Sequence, residues 1–199
     1  MKQKLIRIAL LVMVLTSLVF TQSASAGGGC GIDASAINDK GQVAGRGLTA
    51  SGEFHAFLWK QGKAIDLGTL GGSCSFAVDI NNNGQVVGDS AIASGEFHAF
   101  LWKNGKMIDL GTLGGATSSA LAINERGEVV GQSETASGEL HAFLWKNGKM
   151  IDLGTLGGGS FSVATDINED GQVVGVGRTA SGEPHAFLWK NGTMTDLSR

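Results

Sequence analysis

The chain has 199 residues, 32 of them glycine, one proline and two cysteine; 42% are hydrophobic, 17% are charged, and the formal net charge is −3. Low charge with that apolar content excludes a disordered chain. The lone proline excludes collagen, and two cysteines exclude a disulfide-dense miniprotein.

Residues 1–26 have the pattern of a secretory signal peptide. Lys2, Lys4 and Arg7 form a positive start, Ile8 to Phe20 is an apolar run, and Ala24-Ser25-Ala26 is a small-residue cleavage signature before Gly27. The apolar run is shorter than the ~20 residues a spanning helix needs, so no membrane association is expected after cleavage. The expected location is extracellular or periplasmic. Loss of the three cationic residues takes the net charge from −3 to about −6. With no basic patch, nucleic acid is not an expected partner.

Residues 27–199 read as one repeat domain of four units: 27–70, 71–113, 114–156 and 157–199. His-Ala-Phe-Leu-Trp-Lys starts at His55, His98, His141 and His185. Each unit predicts four short strands. The first ends in Ile-Asn, as in Val163 to Asn168. A turn with glycine in fourth place follows, as in Asn81-Asn82-Asn83-Gly84. The second strand is Gln85-Val86-Val87-Gly88 and its equivalents. A variable connection then leads to the third, His-Ala-Phe-Leu-Trp. Asn104-Gly105, Asn147-Gly148 and Asn191-Gly192 (Gln61-Gly62 in the first unit) predict type I′ hairpins into the fourth, as in Met107 to Leu110. Gly-Gly pairs then break the chain before the next unit.

A lone four-stranded meander leaves one face wet, yet Ala-Phe-Leu-Trp is apolar at consecutive positions. Both faces therefore need covering, and radial stacking supplies it. The expected fold is all-β and β-propeller-like, with four four-stranded antiparallel blades. A closed four-blade ring is favoured; an open array completed by a partner chain and a solenoid are the alternatives.

The His-Ala-Phe triplet, with Leu-Trp-Lys-Asn-Gly-Lys-Met-x-Asp-Leu-Gly-Thr-Leu-Gly-Gly behind it, resembles the HAF family of extracellular repeat proteins across all four units. The layout is also loosely similar to a kelch blade, although here the Trp precedes the hairpin turn. The HAF resemblance implies export and a repeat fold, and it implies no chemistry.

Positions identical in all four units serve every unit alike, which favours structural roles. His55, His98, His141 and His185 are expected to cap neighbouring loops rather than bind metal. Asp66, Asp109, Asp152 and Asp196 are expected to bond between blades. Asp166-Ile167-Asn168-Glu169-Asp170-Gly171 resembles the start of a calcium loop, but Gly177 stands at its twelfth position, where calcium needs an acid. No metal and no cofactor are expected. There is no G-x-S-x-G, H-E-x-x-H or phosphate-binding loop, so no catalytic residue is expected and the protein is read as a non-enzyme.

Function is expected where the units differ. The candidates are Arg46, Asp89, Glu134 and Arg178, in the connections between second and third strands, with Phe54 and Phe97 just before the His. They suggest a binding or scaffold face for a glycan or a protein. A hydrolase or lyase using the central funnel is an alternative on fold analogy alone, and an array completed by homo-oligomerisation is another. Cys30 and Cys74 each follow a Gly-Gly start and are candidates for a disulfide.

Overall fold

The computed structural model describes residues 33–198, so the signal-like segment and Cys30 lie outside the described residues. Sixteen strands form four separate antiparallel meanders, each in simple chain order. The first sheet holds β1 (Asp33–Ile37), β2 (Val43–Leu48), β3 (Phe54–Lys60) and β4 (Lys63–Asp66). The second holds β5 (Gly71–Ile80), β6 (Val86–Ile92), β7 (Phe97–Lys103) and β8 (Lys106–Asp109). The third holds β9 (Gly114–Ile123), β10 (Val129–Thr135), β11 (Leu140–Lys146) and β12 (Lys149–Asp152). The fourth holds β13 (Ser162–Ile167), β14 (Val173–Arg178), β15 (Pro184–Lys190) and β16 (Thr193–Asp196).

Turn chemistry sets the register. Gln61, Asn104, Asn147 and Asn191 have φ of 51–53°, and each is followed by a positive-φ glycine. That is the type I′ geometry whose twist matches a two-residue hairpin. The turn between the first two strands is folded by its leading asparagine. Asn81 Oδ1 accepts from Asn83 N–H and Gln85 N–H, and Gly84 N–H donates to Asn81 O.

Gly157-Gly158 form a turn before β13, as the sequence suggests, but the two earlier pairs do not break the chain. Gly71-Gly72 and Gly114-Gly115 open β5 and β9, which run closely past the ends of β6 and β10. A Cβ on Gly72 would sit 2.5 Å from Ala91 Cβ, so the pair permits a tight crossover. The glycine after Val-Val has a related cause. A bulge in the first strand pushes a carbonyl toward it, so a Cβ on Gly88 would collide with Phe76 O.

The sheets pack in sequence, the first strand of each across the sheet before it: β5 against β1, β2 and β3; β9 against β5, β6 and β7; β13 against β9, β10 and β11. Each junction repeats one arrangement. Ala44, Ala56, Leu58 and Leu67 meet Ala77, Ile80, Val86, Phe100 and Trp102. Val87, Ala99, Leu101 and Leu110 meet Ala120, Ile123, Val129, Phe143 and Trp145. Ala122, Val130, Ala142, Leu144 and Leu153 meet Ala164, Ile167, Val173 and Phe187. The alternation of β3 explains this: Ala56 and Leu58 point to one face, and Phe57 and Trp59 to the other.

Polar contacts fix the same junctions. Ser75 Oγ accepts from Ala56 N–H at 2.8 Å and donates to Gly68 O, and Ser118 and Ser162 repeat this. A side-chain ladder runs across all four sheets. Asn38 Nδ2 donates to Asn81 O, Asn81 Nδ2 to Asn124 O, and Asn124 Nδ2 to Asn168 O, at 2.9–3.1 Å.

Among the described residues the first and fourth sheets do not pack on each other as neighbouring sheets do. Trp102 and Trp145 are 9% exposed and Trp189 is half-buried, but Trp59 is 43% exposed. The covering of both faces expected of Ala-Phe-Leu-Trp is therefore incomplete at the first sheet, where among the described residues no earlier sheet packs on Trp59. At the other end Val174 is 40% exposed, whereas its equivalents Val87 and Val130 are fully buried.

Candidate functional site

The four histidines and the four aspartates of the last strands meet each other. His55 Nδ1 lies 2.9 Å from Asp66, and His98–Asp109, His141–Asp152 and His185–Asp196 repeat the pair at 2.8–2.9 Å. The aspartate also accepts from the backbone two residues on, as in Gly68 N–H to Asp66 Oδ1. These aspartates were expected to bridge blades; each instead ties its own third and fourth strands, because an eleven-residue hairpin spacing brings it opposite the histidine. Among the described residues no group of three His, Cys, Asp or Glu side chains could hold a metal ion.

The residues expected in variable connections lie in regular strand. Arg46 pairs with Ala56, Asp89 with Ala99, Glu134 with Leu140 and Arg178 with Pro184. The strand extends past Val-Val-Gly because the true connection is only a tight turn. In it Gly52 N–H donates to Thr49 O, and Thr49, Ser51 and Glu53 share side-chain hydrogen bonds.

Two of the candidates serve the scaffold. Asp89 Oδ2 accepts from Ser119 Oγ at 3.0 Å and Oδ1 from Ala120 N–H at 3.1 Å, so it joins the second sheet to the third. Glu134 accepts from Ala116 N–H within its own sheet. Burial pushes the Asp89 carboxyl up to about 7, opposed by those two hydrogen bonds. The folded state therefore holds a proton that the unfolded chain releases near pH 4. This contribution to stability is fully present below about pH 4 and is lost as pH rises through about 7. Asp89→Asn keeps the shape without the charge. It is expected to raise stability at pH 8 by about 1–2 kcal/mol and to flatten the pH dependence between 5 and 8. Urea midpoints of both proteins at the two pH values check this; equal slopes would contradict it.

Two other candidates come together. Arg46 sits with its guanidinium 5.6 Å from the ring centre of Phe76, and Phe76 stacks on Phe97 with centroids 5.9 Å apart. Asp33 Oδ2 lies 2.8 Å from Arg46 Nε, whose N–H is not aligned on it, so charge rather than a hydrogen bond holds that pair. Arg178 stands over Phe161 at 6.0 Å in the fourth sheet. Phe54 is half-buried, at the position equivalent to Phe97. Phe76 and Phe161 were not singled out in the sequence. Phe76 occupies a position that also varies between units, as Asp33, Ser119 and Val163, and that variation was the available signal. Cys74 is half-buried on β5.

No protein-family model and no curated protein sequence matches the chain. Solved structures do resemble it. TolB from Acinetobacter baumannii matches with a TM-score of 0.58 at 15% identity, covering 84% of this chain and 43% of that one. The β-propeller domain of the Trilobed protease from Pyrococcus furiosus, which has an open velcro topology, matches with a TM-score of 0.56 at 14% identity, covering 79% and 48%. The fold is a β-propeller's. Pyrococcus horikoshii acylaminoacyl peptidase matches less well, with a TM-score of 0.51 at 16% identity over 79% of this chain and 25% of that one. The chain spans less than half the length of each of these structures. At such identities the likeness is one of fold. Among the described residues no helix is long and apolar enough to cross a membrane.

Proposed function

We propose that this chain is an exported, non-enzymatic binding module of the HAF type, whose glycan or protein ligand docks at Arg46, Phe76 and Phe97. The carrying observation is the stacked Phe76–Phe97 pair with the Arg46 guanidinium over it. All three side chains are only half-buried, and they sit on strands fixed by the inter-sheet contacts. A flat aromatic surface beside a planar cation suits the apolar face of a sugar ring or an aromatic or acidic peptide side chain. Rigid strands hold it at little entropic cost on binding. The HAF resemblance and the signal-like first 26 residues support export.

Glycan and peptide arrays probed with wild type, Phe97→Ala and Arg46→Ala test the reading. At least tenfold weaker binding by both variants is expected, with melting temperatures close to wild type. Binding unchanged in both would remove this site, and turnover of a polysaccharide or ester substrate would overturn the non-enzymatic reading.

A further inference from the structure

We infer that the two open ends of the arc dock head to tail on a second copy of the chain, so that two copies complete one ring of eight sheets. The inference does not depend on the ligand proposed above.

The first argument is the repetition of the junction. In all three internal junctions, one sheet presents small and aliphatic residues and the next presents Ile, Val, Phe and Trp. The fourth sheet presents the first half of that pairing to solvent: Val174 and Leu197 are 40% and 53% exposed, Ala186 is exposed and Leu188 half-buried. The first sheet presents the second half: Ile37 is 52% and Trp59 43% exposed, with Val43 and Phe57 half-buried. Terminal units of a repeat array normally carry a polar outer face. Here the outermost strand is softened, with Ala64 at the position of Met107 and Thr195 at that of Ile108, and Asp166 on β13 stands where the third sheet has Ala122. The tail of one copy and the head of another are thus the two parts of an interface the molecule already makes three times.

The second argument is polar and independent of hydrophobicity. The asparagine ladder points one way, each Nδ2 donating to the carbonyl of the next sheet. Alongside it Asp39 N–H donates to Asn82 Oδ1, Asn82 N–H to Glu125 and Glu125 N–H to Glu169 Oε1. Among the described residues neither Asn168 Nδ2 nor Glu169 N–H has a next sheet to donate to. The matching acceptors, the carbonyl of Asn38 and the carboxylate of Asp39, stand at the other end of the arc. A second copy brings the two sets together.

The third argument is curvature. Aligned on a propeller domain, the four sheets span 48% of its length. Four sheets at that curvature turn through about half a circle. On that alignment the end faces stand apart within one copy, and a second copy supplies the other half. A head-to-tail contact closes into a ring when its rotation does, and otherwise runs on as a filament.

The test uses the full chain, exported and purified, with particle mass measured by light scattering. Two chains per particle are expected for wild type. Trp59→Glu puts a charge on the head and Val174→Glu on the tail. Both positions are exposed in one copy, so each variant is expected to fold and to run as a single chain. Mixing the two variants is expected to restore two-chain particles, because the intact head of one meets the intact tail of the other. A head-to-head or tail-to-tail contact gives no such rescue. Single chains of wild type at every concentration, particles that keep growing with concentration, or failure of the mixture to associate would each overturn the inference.

Discussion

Trp102→Ala is expected to cost about 3–5 kcal/mol, while Trp59→Ala costs less than about 1.5 kcal/mol in a single copy. The two residues stand in the same His-Ala-Phe-Leu-Trp-Lys motif. They differ in what covers them. Trp102 is 9% exposed and packs with Ala44, Ala56, Leu58 and Leu67 of the sheet before it. Among the described residues no sheet packs before Trp59, which is 43% exposed. Truncating Trp102 removes a ring from a closed junction and leaves a cavity, which takes much of a total stability of ~5–15 kcal/mol. Thermal or urea unfolding of both variants, at protein concentrations where the chain is single, checks this. Equal losses would contradict the described packing. At higher concentration the Trp59 variant should fall behind wild type, since only wild type gains stability from association.

Gly131→Ala is expected to cost about 3 kcal/mol or more, through collision rather than lost contact. A Cβ at this position would run into the carbonyl oxygen of Ser119 on β9. The bulge that pushes this carbonyl inward also sets the register of the first strand, so neither side can give way cheaply. Gly148→Ala provides the comparison. Its φ is +77°, but nothing lies within 4 Å of a Cβ there, so the cost is strain alone, about 1–2 kcal/mol. Melting temperatures should therefore fall much further for Gly131→Ala. The reverse order would mean that glycine is kept for its backbone freedom at both positions.

Much of the fold was legible because the units spell it out four times. Asn-Gly between apolar runs fixed the third turn, and the consecutive apolar residues of Ala-Phe-Leu-Trp required sheets on both faces. The variable segments were harder. Arg46 to Thr49 carries a glycine and no alternation, and it reads as a loop; pairing with β3 makes most of it strand. Asp89 looked free to bind a ligand, but its partners Ser119 and Ala120 lie 30 and 31 residues away, on a different sheet. The aspartate of the last strand recurs at the unit period, and that period does not reveal whether its contact lies within or between sheets. The Phe76–Phe97 stack has the same origin. Each ring sits at a position that varies between units, and only the fold brings them side by side.

The asparagine ladder also gives the molecule a direction. Every link has its donor in the earlier sheet and its acceptor in the later one, at a fixed offset of 43 or 44 residues. As far as this ladder is concerned, any unit can therefore follow any other. Loss or gain of one whole unit, such as residues 71–113, leaves matching donors and acceptors on either side of the cut. Genes built this way can lengthen or shorten by recombination between their own repeats, and the ladder then differs in how many sheets it crosses.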